Sequence, residues 1–169
     1  MEVTPAPAYD EGAEPPPPPA AQRLASWEAR AGAAVIDFFV RLGILLACVG
    51  IGALLYLADD QAGEFGLGLG LAVGFVLTTF VYAPVMMART NGQTVGHRAT
   101  DTRVVMADGS RMSGGRALLR EGLVKAILMD TIGSFTFYIL TLVNYLFPLW
   151  DANNETLHDK MCGTRVVMA

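Results

Sequence analysis

Two long apolar runs dominate the pattern of the chain, and a third apolar region follows them. The first run covers residues 31–57 and the second covers residues 66–88. Each exceeds the roughly 20 apolar residues that a helix needs to cross a hydrocarbon core of about 30 Å. The pattern therefore predicts two membrane-spanning helices, with Trp27 and Tyr56 as interfacial anchors of the first helix.

The third apolar region, residues 117–150, fits either one crossing or two short ones. It begins as an amphipathic helix whose polar side carries Arg116, Arg120 and Lys125, and it becomes strongly apolar from Ala126. One crossing would leave the C-terminus on the far side of the membrane. Two short crossings, or a surface helix followed by a re-entrant hairpin, would bring it back. The region is short for two full spans, and we favour two helices, the first lying partly at the interface.

A six-residue sequence, TRVVMA, occurs at residues 102–107 and again at residues 164–169. Both copies have β-strand character, and turn signals flank the first. A paired arrangement would require both copies to lie on the same side of the membrane; a coincidental repeat is the alternative. We expect an all-α integral membrane protein of three to four membrane helices, with a small cytoplasmic loop and β-strand cap built from residues 89–115 and 156–169.

Three glycines near the start of the second run are spaced four residues apart. Gly66, Gly70 and Gly74 form two overlapping GxxxG steps, which let helix backbones approach closely. They predict a face that packs against another membrane helix, although such glycines also occur in membrane segments by chance. Pro84, near the end of the run, predicts a kink.

The composition favours a membrane protein, and the length favours a single domain. Of 169 residues, 53% are hydrophobic and 17% are charged, against about 25% charged in soluble domains. The net charge of −4 hides a segregation of acids and bases. The connection between the first two runs carries Asp59, Asp60 and Glu64 but no basic residue, whereas a basic segment follows the second run. The positive-inside rule therefore predicts that the N-terminus and the basic segment are cytoplasmic.

The first 22 residues differ in composition from the rest of the chain. They are acidic and contain five consecutive prolines, Pro15 to Pro19, which favour an extended polyproline conformation. They lack the basic and apolar regions of a signal peptide. We expect residues 1–22 to be a disordered cytoplasmic tail, and we favour a plain spacer over a PxxP docking site.

Three charged residues lie on one side of the first predicted helix. At 100° per residue, Arg30, Asp37 and Arg41 fall within about 20° of one line. Because each buried charge costs about 2.5–3.5 kcal/mol on insertion scales, this stripe is expected to face protein or a wet cavity. Asp37 and Arg41 are four residues apart, which predicts an ion pair within the helix.

Two explanations of the stripe compete. In the structural one, Asp37 and Arg41 neutralise each other and fix the packing of the helices. In the functional one, Asp37 is a titratable site whose proton or cation occupancy is coupled to transport. Polar residues elsewhere in the apolar regions are candidates to face the stripe: Thr78, Thr79, Asp130 and Asn144.

The basic segment suits anionic lipid headgroups better than nucleic acid, because no set of base-stacking aromatic residues accompanies it. The cluster proposed for this contact is Arg111, Arg116, Arg120 and Lys125. The sequence has no GxSxG elbow, P-loop or dinucleotide motif, so we do not expect an enzyme. Cys48 and Cys162 lack metal or redox spacing, so we expect free thiols, no metal site and no cofactor.

Five segments, in this order, resemble signatures of the RDD family of bacterial membrane proteins: ARAGAAVIDFFV, GQTVGHR, TRVVMADG, RALLRE and TLHDKMCGTRVV. The resemblance covers residues 23–169, which we take as the membrane domain. The family is named for one arginine and two aspartates, and these correspond here to Arg30, Asp37 and Asp159.

The resemblance implies a multipass protein of the bacterial inner membrane but no settled activity, since transport and cation/proton exchange are proposed for some members only. Our leading hypothesis is cation/proton exchange or small-solute transport. A non-transporting scaffold or accessory subunit is the alternative. So small a domain is expected to form a homo-oligomer or to join another membrane protein. His97 stands where the family commonly has a lysine, and Arg41 lies outside the motif.

Asp159 follows His158 in the segment TLHDK. We expect Asp159 to cap a turn or to bind an arginine of the basic segment, such as Arg116 or Arg120. A proton relay through His158 and Asp159 is the less favoured alternative.

Overall fold

The chain is mainly helical in this computed structural model, with one small sheet. The structure describes residues 23–131 and 138–169, except for the side chains of Met129 and Asp130. The tail predicted for residues 1–22 therefore lies outside the described residues. In chain order the elements are α1 (Trp27–Ala53), a 3-10 turn (Leu54–Leu57), α2 (Asp60–Val76), a π-helical stretch (Leu77–Tyr82), α3 (Ala83–Arg89), α4 (Val95–Ala99), β1 (Thr102–Met106), α5 (Gly114–Leu118), the π segment (Leu119–Thr131), α6 (Ile139–Leu146), a 3-10 turn (Phe147–Leu149), α7 (Leu157–Cys162) and β2 (Thr164–Met168).

Two helical stretches are long and apolar enough to cross a membrane, namely Trp27–Leu57 and Asp60–Arg89. Both begin several residues before the predicted apolar runs. The reason is local, because Ser26 and Asp59 each accept a backbone N–H of the following first turn and so cap the helix. Large apolar side chains such as Phe39 remain exposed along α1, as expected of a surface that faces lipid.

The two candidate spans pack through glycine. A Cβ atom added at Gly66 would lie 2.1 Å from the carbonyl oxygen of Gly52, and one added at Gly70 would lie 2.5 Å from that of Cys48. Gly74 is buried on the same face of α2. The predicted glycine face is therefore confirmed, and it lets the backbones of α1 and α2 come into direct contact.

The second span changes its hydrogen-bonding pattern close to Pro84. The helix is π-helical over Leu77–Tyr82 and returns to α-helix at Ala83, with Pro84 in the first turn of α3. Proline has no backbone N–H to continue the regular ladder, and a wider turn accommodates the break. The irregular stretch ends on Tyr82, whose side chain reaches α1.

Within the third apolar region the structure describes the π segment and the stretch Ile139–Leu149. The two stretches contact each other, because the Lys125 ammonium lies 5.9 Å from the centroid of the Tyr145 ring. Trp27 Nε1 also donates to the Tyr145 carbonyl at 3.0 Å. As far as they are described, neither stretch reaches the roughly 20 residues of a full span, and residues 132–137 between them lie outside the described residues. Of the predicted three to four membrane helices, the described residues contain two of sufficient length.

The repeated sequence forms a two-stranded antiparallel sheet. Strand β1 pairs with β2 in a register that places Val104 opposite Val166. The backbone of Leu24 bridges to Val167, and Ala25 N donates to the Val166 carbonyl at 3.0 Å. The C-terminal strand therefore lies beside the start of α1, and α7, which precedes it, is brought to the same place.

Candidate functional site

Asp37 lies in α1 with only 7% of its surface exposed, and its carboxylate accepts three hydrogen bonds. The Tyr82 hydroxyl donates to Oδ1 at 2.7 Å and the Gly96 N–H donates to the same oxygen at 2.9 Å. The Thr94 hydroxyl donates to Oδ2 at 2.5 Å. Asp37 thus joins the first span to the end of the second and to α4.

Glycine is needed at position 96 for this contact. A Cβ atom there would lie 2.1 Å from the Ala33 carbonyl oxygen and 2.9 Å from Asp37 Cγ. The preceding Thr94 caps α4, since its Oγ1 accepts the His97 N–H at 3.3 Å. The segment GQTVGHR therefore has a structural role: Thr94 caps α4, and Gly96, which has no side chain, lets the backbone of α4 contact α1.

His97 is connected to Asp37 through Thr94. Its Nδ1 lies 2.7 Å from Thr94 Oγ1 and 3.8 Å from Asp37 Oδ2. Because the Thr94 hydroxyl gives its hydrogen to Asp37, the Nδ1–H of His97 is the donor in the other bond. Burial, together with the nearby Arg120, lowers the pKa of His97 to about 4, so the ring is neutral at pH 7.

The prediction of an ion pair between Asp37 and Arg41 is wrong. Arg41 Nη2 donates instead to Glu121 Oε2 at 3.2 Å, and its guanidinium lies 5.8 Å from the centroid of the Tyr82 ring. The physical reason is competition, because neutral donors from outside α1 take both oxygens of Asp37 while the π segment presents another carboxylate to Arg41. Helical spacing allows a pair but does not select it.

Asp159 is fully buried and binds two arginines. Its Oδ2 accepts from Arg30 Nη1 at 2.9 Å, and its Oδ1 accepts from Arg120 Nη2 at 2.7 Å and from Arg120 Nε at 3.1 Å. Its Oδ2 also accepts the Thr156 N–H and hydroxyl at 3.2 and 2.8 Å, and Thr156 Oγ1 accepts the Asp159 N–H at 3.2 Å, so that the two residues form a capping box at the start of α7. The two alternatives predicted for Asp159, a cap or an arginine such as Arg116 or Arg120, occur together, and the arginine is Arg120.

The charge states of Asp159 and the adjacent His158 are set by burial and by neighbouring charges. Burial would raise the pKa of Asp159, but the positive charges of Arg120 and Arg30 hold it well below its ordinary value. Burial lowers the pKa of His158 to about 3, against the opposing effect of Asp159. His158 is therefore neutral at pH 7, and Asp159 is ionised.

Glu121 is a site residue that the sequence reasoning missed. It accepts from Arg41 at 3.2 Å and from Lys125 at 3.4 Å, and it also binds Arg120. An acid four residues before Lys125, on a helix that turns apolar, was an available signal. It links the Asp159 pair to Arg41 in one continuous network.

The predicted lipid-facing basic cluster is not one surface. Arg120 is buried in the ion-pair network, and Lys125 is largely buried beside Glu121. Arg111 and Arg116 are exposed. Arg120 is retained by Asp159, which is distant in the sequence, and Lys125 is retained by Glu121, which lies one turn before it.

The candidate partners of the charged stripe are placed differently. Asn144 Oδ1 accepts the His158 N–H at 3.1 Å and so belongs to the surroundings of Asp159 rather than of Asp37.

The two candidate threonines lie in the second span. The Thr78 hydroxyl donates to the Gly74 carbonyl of its own helix at 2.8 Å. Thr79 lines a separate cavity beside Arg41. The side chain of Asp130 lies outside the described residues.

A cavity of about 90 Å³ connects the two aspartate sites. Asp37 and His97 line one part of it, and Arg30, Arg120 and Asp159 line another. Within residues 23–131 and 138–169 there is no group of three or more His, Cys, Asp or Glu side chains that could hold a metal ion. The cavity therefore brings buried acids, bases and neutral imidazoles together without a metal cluster among the described residues.

The chain matches the model of the RDD family over residues 24–163. It matches no curated protein and no solved structure. The matched range contains Arg30, Asp37 and Asp159, which the structure distributes over two joined sites. With a mostly helical fold and two candidate membrane-spanning helices, the chain belongs to the RDD family of membrane-associated proteins.

Proposed function

We propose that this protein is a proton-coupled transport protein of the bacterial inner membrane in which Asp37 takes up and releases the proton. The observation that carries the proposal is the partner set of Asp37. Its three hydrogen-bond donors are neutral, whereas Asp159 and Glu121 are each held by arginine. A buried carboxylate on a candidate span, beside a cavity and held by neutral donors, suits reversible protonation.

The donors favour a proton over a metal cation. The hydroxyls of Tyr82 and Thr94 can reverse their hydrogen bonds, but the Gly96 N–H can only donate and points at Oδ1 of Asp37. A cation bound at Oδ1 would meet that N–H. Oδ2 accepts from the Thr94 hydroxyl, so it is the oxygen on which we place the proton.

The neutral His97 extends this arrangement towards the cavity. Its imidazole joins Thr94, and both His97 and Asp37 line the cavity wall. A proton can therefore pass between the cavity and Asp37 without crossing apolar side chains. We place the N-terminus in the cytoplasm because the acidic connection near Asp59 and the exposed Arg111 and Arg116 lie in different connections of the chain.

Proton flux into proteoliposomes tests the proposal, with the wild type compared with Asp37→Asn. The asparagine keeps an oxygen that can accept from Tyr82 and Gly96, so folding is expected to survive while proton binding is lost. Asp59→Asn is the matched control, because Asp59 is an exposed helix cap and asparagine is as good a cap. We expect flux in the wild type and in the control, and none in monodisperse Asp37→Asn.

A scaffold or accessory subunit is the second candidate, and a specific observation favours it. Asp37 ties three elements together, and Asp159 ties α7 to Arg30 and Arg120. Under this alternative the wild type shows no flux. Asp37→Asn would then lose monodispersity in detergent, since its role would be to hold the elements together.

A further inference from the structure

The Arg30 guanidinium uses only part of its hydrogen-bonding capacity. Its side chain is 10% exposed, and Nη1 donates to Asp159 at 2.9 Å. Its Nε and Nη2 are buried and have no hydrogen-bond partner among the described residues. Arg120 contrasts with it, because Nε, Nη1 and Nη2 of Arg120 all bind carboxylates. Buried charged donors without partners are costly, so Arg30 needs a further acceptor.

The surroundings of Arg30 are short of negative charge. In the connected ion-pair network, four basic side chains share the two carboxylates of Asp159 and Glu121. The basic members are Arg30, Arg41, Arg120 and Lys125. Asp37, the other acid on the cavity wall, is bound only by neutral donors, and with Asp37 included the four basic side chains still outnumber the three acids. An added anion would therefore balance a charge that the described network leaves uncompensated.

The cavity has room for such a group. Its volume is about 90 Å³, and Arg30, Arg120 and Lys125 all line it. One water needs at least ~10–15 Å³ of such space, so the cavity holds either several waters or one small oxyanion. Guanidinium groups match phosphate and carboxylate oxygens with two parallel N–H donors, which is the capacity that Arg30 retains.

We propose that this cavity binds a phosphate-type oxyanion at Arg30, with Arg120 and Lys125 supplying the surrounding positive charge. Trp27 also lines the cavity and lies at the start of α1, and aromatic residues of this kind are typical of the level of lipid headgroups. The oxyanion is therefore either free phosphate or the phosphate of a lipid headgroup. The inference stands independently of the proposed transport function, because it concerns binding alone.

Two variants test the site without relying on one residue. Ala34 lines the cavity from α1, so Ala34→Leu fills the cavity. The substitution removes none of the charged side chains that form the ion pairs. Ala47→Leu is the matched control on the exposed side of the same helix. Arg30→Lys keeps a positive charge for Asp159 but removes the Nε and Nη2 donors.

Binding of inorganic phosphate is measured calorimetrically on the full chain in an uncharged detergent. Retention of phosphatidylglycerol against phosphatidylcholine is measured by native mass spectrometry. For a free oxyanion, phosphate binds the wild type and Ala47→Leu, and the affinity falls at least tenfold in Ala34→Leu and Arg30→Lys. For a headgroup, phosphate does not bind, and the same two variants lose the preference for phosphatidylglycerol. If the wild type shows neither property, or if Ala34→Leu behaves as Ala47→Leu does, the inference is overturned and waters complete the Arg30 donors.

Discussion

Arg30 and Asp159 are 129 positions apart in the sequence, and 2.9 Å separates Arg30 Nη1 from Asp159 Oδ2. The contact joins the first turn of α1 to α7 at a point where the β2 strand already lies beside the start of α1. Two of the three residues that the resemblance assigns to the RDD motif are therefore one structural pair. The third, Asp37, lies one cavity away and is held by neutral groups.

Asp159→Asn is expected to destabilise the protein by about 3–5 kcal/mol, because it leaves the buried Arg30 and Arg120 without their shared carboxylate. Thermal unfolding in detergent measures the effect. Asp108→Asn is the control, since Asp108 is exposed and asparagine can also accept the Ser110 N–H. Equal melting temperatures for both variants would contradict the importance of the buried pair.

Gly96→Ala is expected to weaken the docking of α4 on α1 by about 1–3 kcal/mol, since its Cβ would meet the Ala33 carbonyl at 2.1 Å. The comparison is Gly115→Ala, because a Cβ atom there meets nothing within 4 Å and the residue is helical. That control should be neutral or slightly stabilising. Both are measured by thermal unfolding, and a neutral Gly96→Ala would show that α4 does not approach α1 this closely.

A double-mutant cycle tests which acid pairs with Arg41. Arg41→Gln combined with Glu121→Gln should show a coupling energy of about 0.5–3 kcal/mol, because the two side chains are in contact. The cycle of Arg41→Gln with Asp37→Asn should give a smaller coupling energy, because these two side chains are connected through Tyr82 rather than directly. If unfolding measurements gave the larger coupling energy for Arg41 with Asp37, the ion pair predicted from helical spacing would be supported instead.

Stability is expected to fall as the pH drops from about 6.5 towards 4. Both histidines are neutral, His158 buried and His97 largely so, with the pKa of His97 lowered from 6.5 to about 4 and that of His158 to about 3. The unfolded chain therefore binds more protons in this window, and the stabilisation present above pH 6.5 is lost on acidification. His97 alone accounts for about 3 kcal/mol at the lower end.

The matching variant is His97→Asn, whose amide N–H can donate to Thr94 as the ring Nδ1–H does. Its melting temperature should vary less between pH 6.5 and 4 than that of the wild type. Asp159 does not contribute to this slope, because its pKa lies well below the ordinary value and its stabilisation is lost only in stronger acid. If the melting temperatures of wild type and variant depended on pH in the same way, His97 would not contribute to the loss of stability in acid.

The sequence by itself determined the features that depend on short-range pattern. Uninterrupted apolar runs predict the two candidate spans, and the spacing of Gly66, Gly70 and Gly74 predicts the face through which α2 packs. The TRVVMA repeat predicts the strand pair. The segment TLHDK also suggested that Asp159 caps a turn or binds an arginine such as Arg116 or Arg120, and the structure shows a cap and Arg120.

Only the tertiary structure decided which charges meet. Arg41 is four residues from Asp37 yet binds Glu121, and Arg120 turns inward to Asp159 rather than outward to lipid. A helix position fixes which side chains are within reach along one element, but burial of a charge depends on acceptors that other elements bring close. Pairs such as Arg30 with Asp159 exist because the sheet returns the C-terminus to α1, and that return is a property of the whole fold.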